Sequence, residues 1–231
     1  MKVWKIFLIQ DLINKYDYKT YLEIGVFQGQ VFFNIKCKNK IAVDPHFLFS
    51  KRHILKRRIL NPHNFSAKYF EKTSDAFFAS DADSLKSIDI CLIDGMHEFR
   101  YSLNDFNNVF NKLSDNGVII MHDCNPLSEL TAGSFETLKA SNEIGEWHGD
   151  VWKTIVYLRS FRKDLNVFVA DCDHGLGIIT KRKPTDSMLN FDSFESIDKL
   201  TYKDLENNRR DFLNLKDESY LLEFFGLPSM S

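Results

Sequence analysis

The stretch T20-Y-L-E-I-G-V-F-Q-G-Q30 decides the fold. Thr20–Val26 has the continuous apolar character of a buried strand and runs straight into a turn with glycines at 25 and 29. A helix over 28–36 is expected to follow. A second apolar run, Lys40–Pro45, reads as a strand stopped by its proline. Strand, glycine turn, helix and strand in that order open an α/β domain with a parallel sheet.

The pattern continues in both directions. Residues 3–15 have the spacing of an amphipathic helix, through Trp4, Phe7, Leu8 and Leu12. Helices are expected over 50–60, 75–86 and 101–113, with strands over 67–74, 87–95 and 117–123. Gly117 reads as the stop of the helix before it. Residues 124–149 are polar and aperiodic, as in a long functional loop. A helix over 151–161 follows, then two strands within 166–181 joined by a turn at Asp173–Gly177. From 184 a polar linker leads to helical patterns near Leu205–Phe212 and Tyr220–Phe225. The expected organisation is one main domain over 1–183 and a helical extension of it over 184–231.

Composition narrows the class. The chain has 231 residues, 44% hydrophobic and 27% charged, with a formal net charge of −2. That suits a soluble globular protein and offers no general basic field for nucleic acid. No apolar run approaches the ~18 residues of a membrane span, and no secretory signal is read at the N-terminus. Cys37, Cys91, Cys124 and Cys172 form no Cys-x-x-Cys motif. They read as reduced packing residues of a cytoplasmic protein.

In an open parallel sheet, ligands bind beyond the carboxyl ends of the strands. Here those ends carry Glu23 and Gly25, then Asp44, Asp94, and finally His122 with Asp123. Clustered carboxylates at strand ends are costly without partners. Gly25 permits close backbone approach or a left-handed turn. Asp44 can accept hydrogen bonds from the vicinal hydroxyls of a ribose, or can simply be a solvated strand end. A dinucleotide fingerprint needs glycines where Phe27 and Gln30 stand, and no Walker A sequence occurs. If Asp94 and Asp123 are neighbours, a shared divalent cation resolves their repulsion. Oxygen donors favour Mg²⁺, and a histidine ligand admits Mn²⁺.

LEIGVFQGQ, AVDP, LIDGMHEF and NGVIIMHDCNP, in that order over roughly 18–125, resemble class I S-adenosylmethionine-dependent methyltransferases. The resemblance implies a Rossmann-like, doubly wound sheet of seven mostly parallel strands, the last in an antiparallel hairpin. An N-terminal helix and a C-terminal helical extension cover it. It also implies S-adenosylmethionine as cofactor. Glu23, Gly25 and Gly29 would face its methionine part, Asp44 its ribose, and Ser74 or Asp75 its adenine, with Asp94 also beside the cofactor. The second cluster looks like the metal-dependent sugar O-methyltransferases. That likeness implies Asp94 and Asp123 as metal ligands and His97 as base. His122 stands where a further acidic ligand is common, as ligand or as a buried, hydrogen-bonded residue.

Trp147, His148 and Asp150 are candidate substrate contacts, with Asp150 also readable as the N-cap of the helix at 151. Asp173-His174-Gly175 reads as a turn. The basic run Lys51, Arg52, Lys56, Arg57 and Arg58 is a solvated helix face or a partner for a phosphate-bearing acceptor. The expected acceptor is a small polar molecule, a sugar or nucleotide-linked sugar of surface-polysaccharide synthesis. The Phe-rich tail could pack on its own domain or join subunits in a homo-oligomer. The rival readings are a non-haem-metal enzyme (oxygenase or hydrolase) using His97, His122 and an aspartate, an NAD-dependent oxidoreductase, and a non-catalytic protein that keeps the fold.

Overall fold

The N-terminal periodicity is realised as α1 (Trp4–Tyr16), which buries Leu8, Ile9, Leu12 and Ile13. This is a computed structural model, and it describes residues 4–141 and 146–228. The chain divides into two compact units, Met1–Gly95 with Asn104–Ile119, and Met96–Leu103 with Ile120–Ser231.

In the first unit, β1 (Thr20–Ile24) pairs in parallel with β2 (Asn39–Asp44) and with β4 (Ile88–Ile93). The short β3 (Lys68–Glu71) pairs in parallel with β2. With most of β5 (Leu113–Met121), the order is β3-β2-β1-β4-β5. Strand order reverses between β1 and β4, and that is where such sheets hold ligands. The central strands are buried on both faces, which is why their sequences are almost continuously apolar. The connections carry α2 (Lys51–Leu60) and α3 (Ser74–Ser80), and α4 (Phe99–Phe110) precedes β5.

Two expectations fail here. The helix expected over 28–36 is only a 3₁₀ turn at Phe32–Asn34. The buried Lys40 side chain donates to the carbonyls of Phe32 and Ile35 and to Asn64 Oδ1, so a side chain supplies what a helix ladder would. Gly117 does not stop a helix. β5 already begins at Leu113, and a Cβ on Gly117 would lie 2.7 Å from the Leu113 side chain. The glycine therefore admits a close packing contact inside the strand.

In the second unit, β6 (Asn166–Ala170) and β7 (Leu176–Thr180) form the expected antiparallel hairpin. A short strand, β8 (Leu215–Lys216), pairs in parallel with β6. The described residues thus hold eight strands where seven are expected. The eighth comes from the C-terminal extension and is too short to show an alternation. The helices are α5 (Glu129–Ala132), α6 (Phe135–Ala140), α7 (Trp152–Phe161), α8 (Phe194–Asp198), α9 (Tyr202–Leu213) and α10 (Glu218–Phe225). Residues 124–149 are therefore not one aperiodic loop. Ser128 and Ser134 cap α5 and α6 by accepting the amides of Thr131 and Thr137. No helix of the described residues is long and apolar enough to cross a membrane.

Candidate active site

The first unit contains the glycine loop and Asp44. Gly25 takes φ 82°, and a Cβ there would lie 2.0 Å from the Asp94 carbonyl oxygen. The glycine lets the chain leave β1 pressed against the end of β4, where the Asp94 amide donates to the Ile24 carbonyl at 2.8 Å. Phe27, where the dinucleotide fingerprint has a glycine, is left-handed at φ 49°. That conformation costs an L-residue about 1–2 kcal/mol. Its amide donates to Asp44 Oδ2 at 2.7 Å, and the His46 amide donates to Oδ1 at 2.8 Å. Two amides thus fix the Asp44 carboxylate, which keeps lone pairs for further donors.

Glu23 is buried beneath this loop and accepts from the Tyr21 hydroxyl. Burial raises its pKa to about 8; the Tyr21 bond and the Lys40 and Lys5 ammonium groups oppose the rise, and Asp94 adds to it. Asp94 is half-buried and ion-paired with Lys5, Nζ to Oδ2 at 2.9 Å. Ser74 opens α3 and donates to Asp105, while Asn104 and Asn108 donate to Asp75. Both adenine candidates are thus engaged by α4. Asp105 was hidden between the core residues Leu103 and Phe106. Burial raises its pKa to about 6, against the Ser74 bond and with help from Asp75.

The second unit gathers histidines around Asp123. This residue is 3% exposed and is left-handed at φ 59°. Asp123 Oδ2 lies 3.1 Å from His122 Nδ1 and 3.3 Å from His97 Nδ1. Asp123 Oδ1 lies 3.8 Å from His148 Nε2. His97 Nδ1 donates to the Trp147 carbonyl at 2.5 Å, and the two rings stack at 5.2 Å. A Cβ on Gly149 would lie 1.7 Å from the His97 carbonyl oxygen, so only glycine at φ 60° lets this loop wrap the histidine.

Asp150 does not cap its own helix. Its Oδ1 accepts the Phe99 amide at 2.6 Å, capping the first turn of α4 instead, and Lys153 pairs with Oδ2 at 3.0 Å. His97, Trp147 and Asp150 share the wall of a cleft of about 400 Å³ with Glu129, Lys153 and Tyr202. His148 is not in that wall. It is buried with its ring 4.7 Å from that of His174. The hairpin turn is more than a connection. Asp173 and His174 are both left-handed, and Asp173 Oδ1 lies 3.6 Å from His122 Nε2. Asp173, His174 and Gly175 all take positive φ in the connection between β6 and β7, so the sequence shows the turn but not where its side chains go.

The Asp94, His97 and Asp123 side chains offer two carboxylates and one imidazole, a donor set that suits Mg²⁺ or Mn²⁺. The Asp94 carboxylate already has the Lys5 ammonium as its cation. Asp123 itself has the imidazoles of His122 and His97 beside its Oδ2. α2, which carries the basic run, buries none of its residues, and Arg57 and Arg58 lie over the rings of Phe33 and Phe65. Burial pushes the Cys172 thiol up to about 12 and that of Cys91 well up, in keeping with packing.

Comparison with known proteins agrees with this architecture. Residues 22–124 match a family model described as a methyltransferase domain. Protein R132 of Acanthamoeba polyphaga mimivirus, itself uncharacterized, is 30% identical over 126 residues, which is 50% of this chain. The match spans 57% of the length of that relative. The O-methyltransferase TomG of Streptomyces achromogenes, in complex with SAM, superposes with a TM-score of 0.58 at 9% identity, over 78% of this chain and 80% of its own. Cofactor-bound Rv0187 from MTB gives 0.55 at 10% identity, over 79% and 82%. The chain has the α/β, Rossmann-like fold of the class I methyltransferases, with a mostly parallel sheet and flanking helices.

Proposed function

We propose that this chain, which matches a methyltransferase domain model over residues 22–124 and has that fold, transfers the methyl group of S-adenosylmethionine to a hydroxyl of a small polar acceptor. The observation that carries the reading is the setting of His97. Its Nδ1 is fixed by the Trp147 carbonyl and the Asp123 carboxylate, and it stands in the wall of the cleft.

The residues of the first unit fit the cofactor. Asp44, oriented by two amides, has lone pairs for the ribose hydroxyls. The loop Glu23–Gly29 is shaped by Gly25 and Phe27 at the reversal of strand order. When bound, the cofactor supplies a methyl group on a sulfonium, and S-adenosylhomocysteine is the product. With Nδ1–H donated to Trp147, neutral His97 carries its lone pair on Nε2, where it can take the acceptor's proton. The Asp123 carboxylate then stabilises the imidazolium. The acceptor O–CH₃ bond forms as the C–S bond breaks, and the proton ends on His97.

The proton transfer is assigned to the chain's own groups, and Asp94 is paired with Lys5 through Oδ2. A sugar acceptor is favoured by the flat ring of Trp147, with Tyr202 in the same cleft. Arg100 and Lys153 line the same cleft, paired with Asp198 and Asp150. The test is transfer of a labelled methyl group to a panel of nucleotide sugars and simple sugars. A labelled product with the wild type and none with His97→Ala supports the proposal. Equal labelling by both removes His97 from it.

A further inference from the structure

We propose that Glu146, His148 and His174 form a binding site for a first-row transition-metal ion of the Mn²⁺ to Zn²⁺ series. Each offers one ligand atom, and these atoms all lie within 4.8 Å of one another. His174 Nε2 is 2.9 Å from Glu146 Oε2, and the rings of His148 and His174 are 4.7 Å apart. An ordinary histidine–glutamate ion pair would account for the first contact alone. It would not account for His148, which is only 3% exposed and has no hydrogen-bond partner at either ring nitrogen. Leaving a buried polar group unsatisfied costs about 1–3 kcal/mol, and this side chain has two such atoms. An ion held by one of them removes part of that cost and gives the ring a reason to lie there.

The backbone holds the donors in place. The His148 amide donates to the Thr131 carbonyl at 3.0 Å, and the Gly149 amide donates to the same oxygen at 2.9 Å. His174 lies in the hairpin turn at φ 61°, and its carbonyl accepts the Asn125 amide at 2.9 Å. The Glu146 side chain is 75% exposed, so the site has an open side for entry of an ion and for water ligands. Two imidazoles and one carboxylate select the transition series over the oxygen-seeking Mg²⁺. Of the three, only His148 was a candidate substrate contact, and it lies outside the cleft wall. Its sequence signal was weak, because His174, 26 positions after His148, reads as part of a turn.

The test uses the full chain, stripped with chelator and dialysed against Co²⁺. Bound metal is measured by elemental analysis and by the visible d–d spectrum, and calorimetry compares Zn²⁺ with Mg²⁺. We expect about one equivalent of Co²⁺, a spectrum of nitrogen ligation, and binding of Zn²⁺ but not of Mg²⁺. His148→Gln and His174→Gln should each weaken Zn²⁺ binding by at least about tenfold. Glu146→Gln, at an exposed side chain that the fold tolerates, should weaken it as well. No retained metal in the wild type means that a buried water serves His148, and overturns the proposal. Equal retention in all three variants also overturns it. Titration of the same samples with S-adenosylhomocysteine tests the methyltransferase reading separately.

Discussion

The Nδ1–H of His97 donates to the main-chain carbonyl of Trp147 at 2.5 Å. A carbonyl can only accept, so this bond fixes which nitrogen of the neutral ring carries the proton. Asp123 stands 3.3 Å from the same nitrogen and is placed to stabilise the charged ring. General bases typically contribute ~10²–10⁴-fold. His97→Ala should therefore lower turnover by about that factor and leave S-adenosylhomocysteine affinity unchanged. A variant that loses affinity instead would make His97 a binding residue.

Gly149 makes that histidine geometry possible, because any Cβ at 149 would collide with the His97 carbonyl. Gly149→Ala should cut turnover by at least about tenfold through misplacement of the base. Circular dichroism of the variant should still show a folded chain. Wild-type turnover from a folded Gly149→Ala protein would show that the loop does not position His97.

Asp44 holds Phe27 in its left-handed conformation through the 2.7 Å amide bond. Asp44→Ala removes both that anchor and the proposed ribose acceptor. It should weaken S-adenosylhomocysteine binding by at least about tenfold, taking a hydrogen bond between charged and neutral groups as ~1.5–3 kcal/mol. Full affinity in Asp44→Ala would take the ribose contact away from this residue.

Asp105 gives a pH signature. Burial raises its folded pKa to about 6 from the ordinary 3.8, so the unfolded chain loses its proton first. Its contribution to stability is then undiminished below about pH 4, falls as pH rises toward 6, and stays reduced above that. Asp105→Asn, which can still accept from Ser74, should lack this decline. The variant should gain on the wild type by on the order of 2 kcal/mol between pH 4 and 6 in denaturant titrations. Parallel pH curves for the two proteins would contradict this account of Asp105.

The sheet was legible because buried parallel strands are nearly continuous apolar runs, and β1, β2, β4, β6 and β7 lie close to where those runs predict. The turn at 32–34 was not legible as a non-helix, because what replaces the helix ladder is the distant side chain of Lys40. β8 has two residues and no periodicity to read. Among the candidate residues, Asp44, Asp94, His97 and Asp123 stood out as polar residues at or just beyond apolar strand ends. Lys5 did not, since in sequence it is one charge on an amphipathic helix, and only folding brings it to Asp94. Asp105 was masked by the helical spacing of its apolar neighbours, and the turn at Asp173–His174 showed its backbone but not the direction of its side chains.

The most direct test of the central claim is calorimetric titration of the purified chain with S-adenosylhomocysteine, with and without Mg²⁺, and with NAD⁺ as control. The account predicts binding of S-adenosylhomocysteine in the micromolar range, independent of Mg²⁺, and no heat from NAD⁺. Absence of S-adenosylhomocysteine binding under both conditions, or comparable binding of NAD⁺, would contradict it.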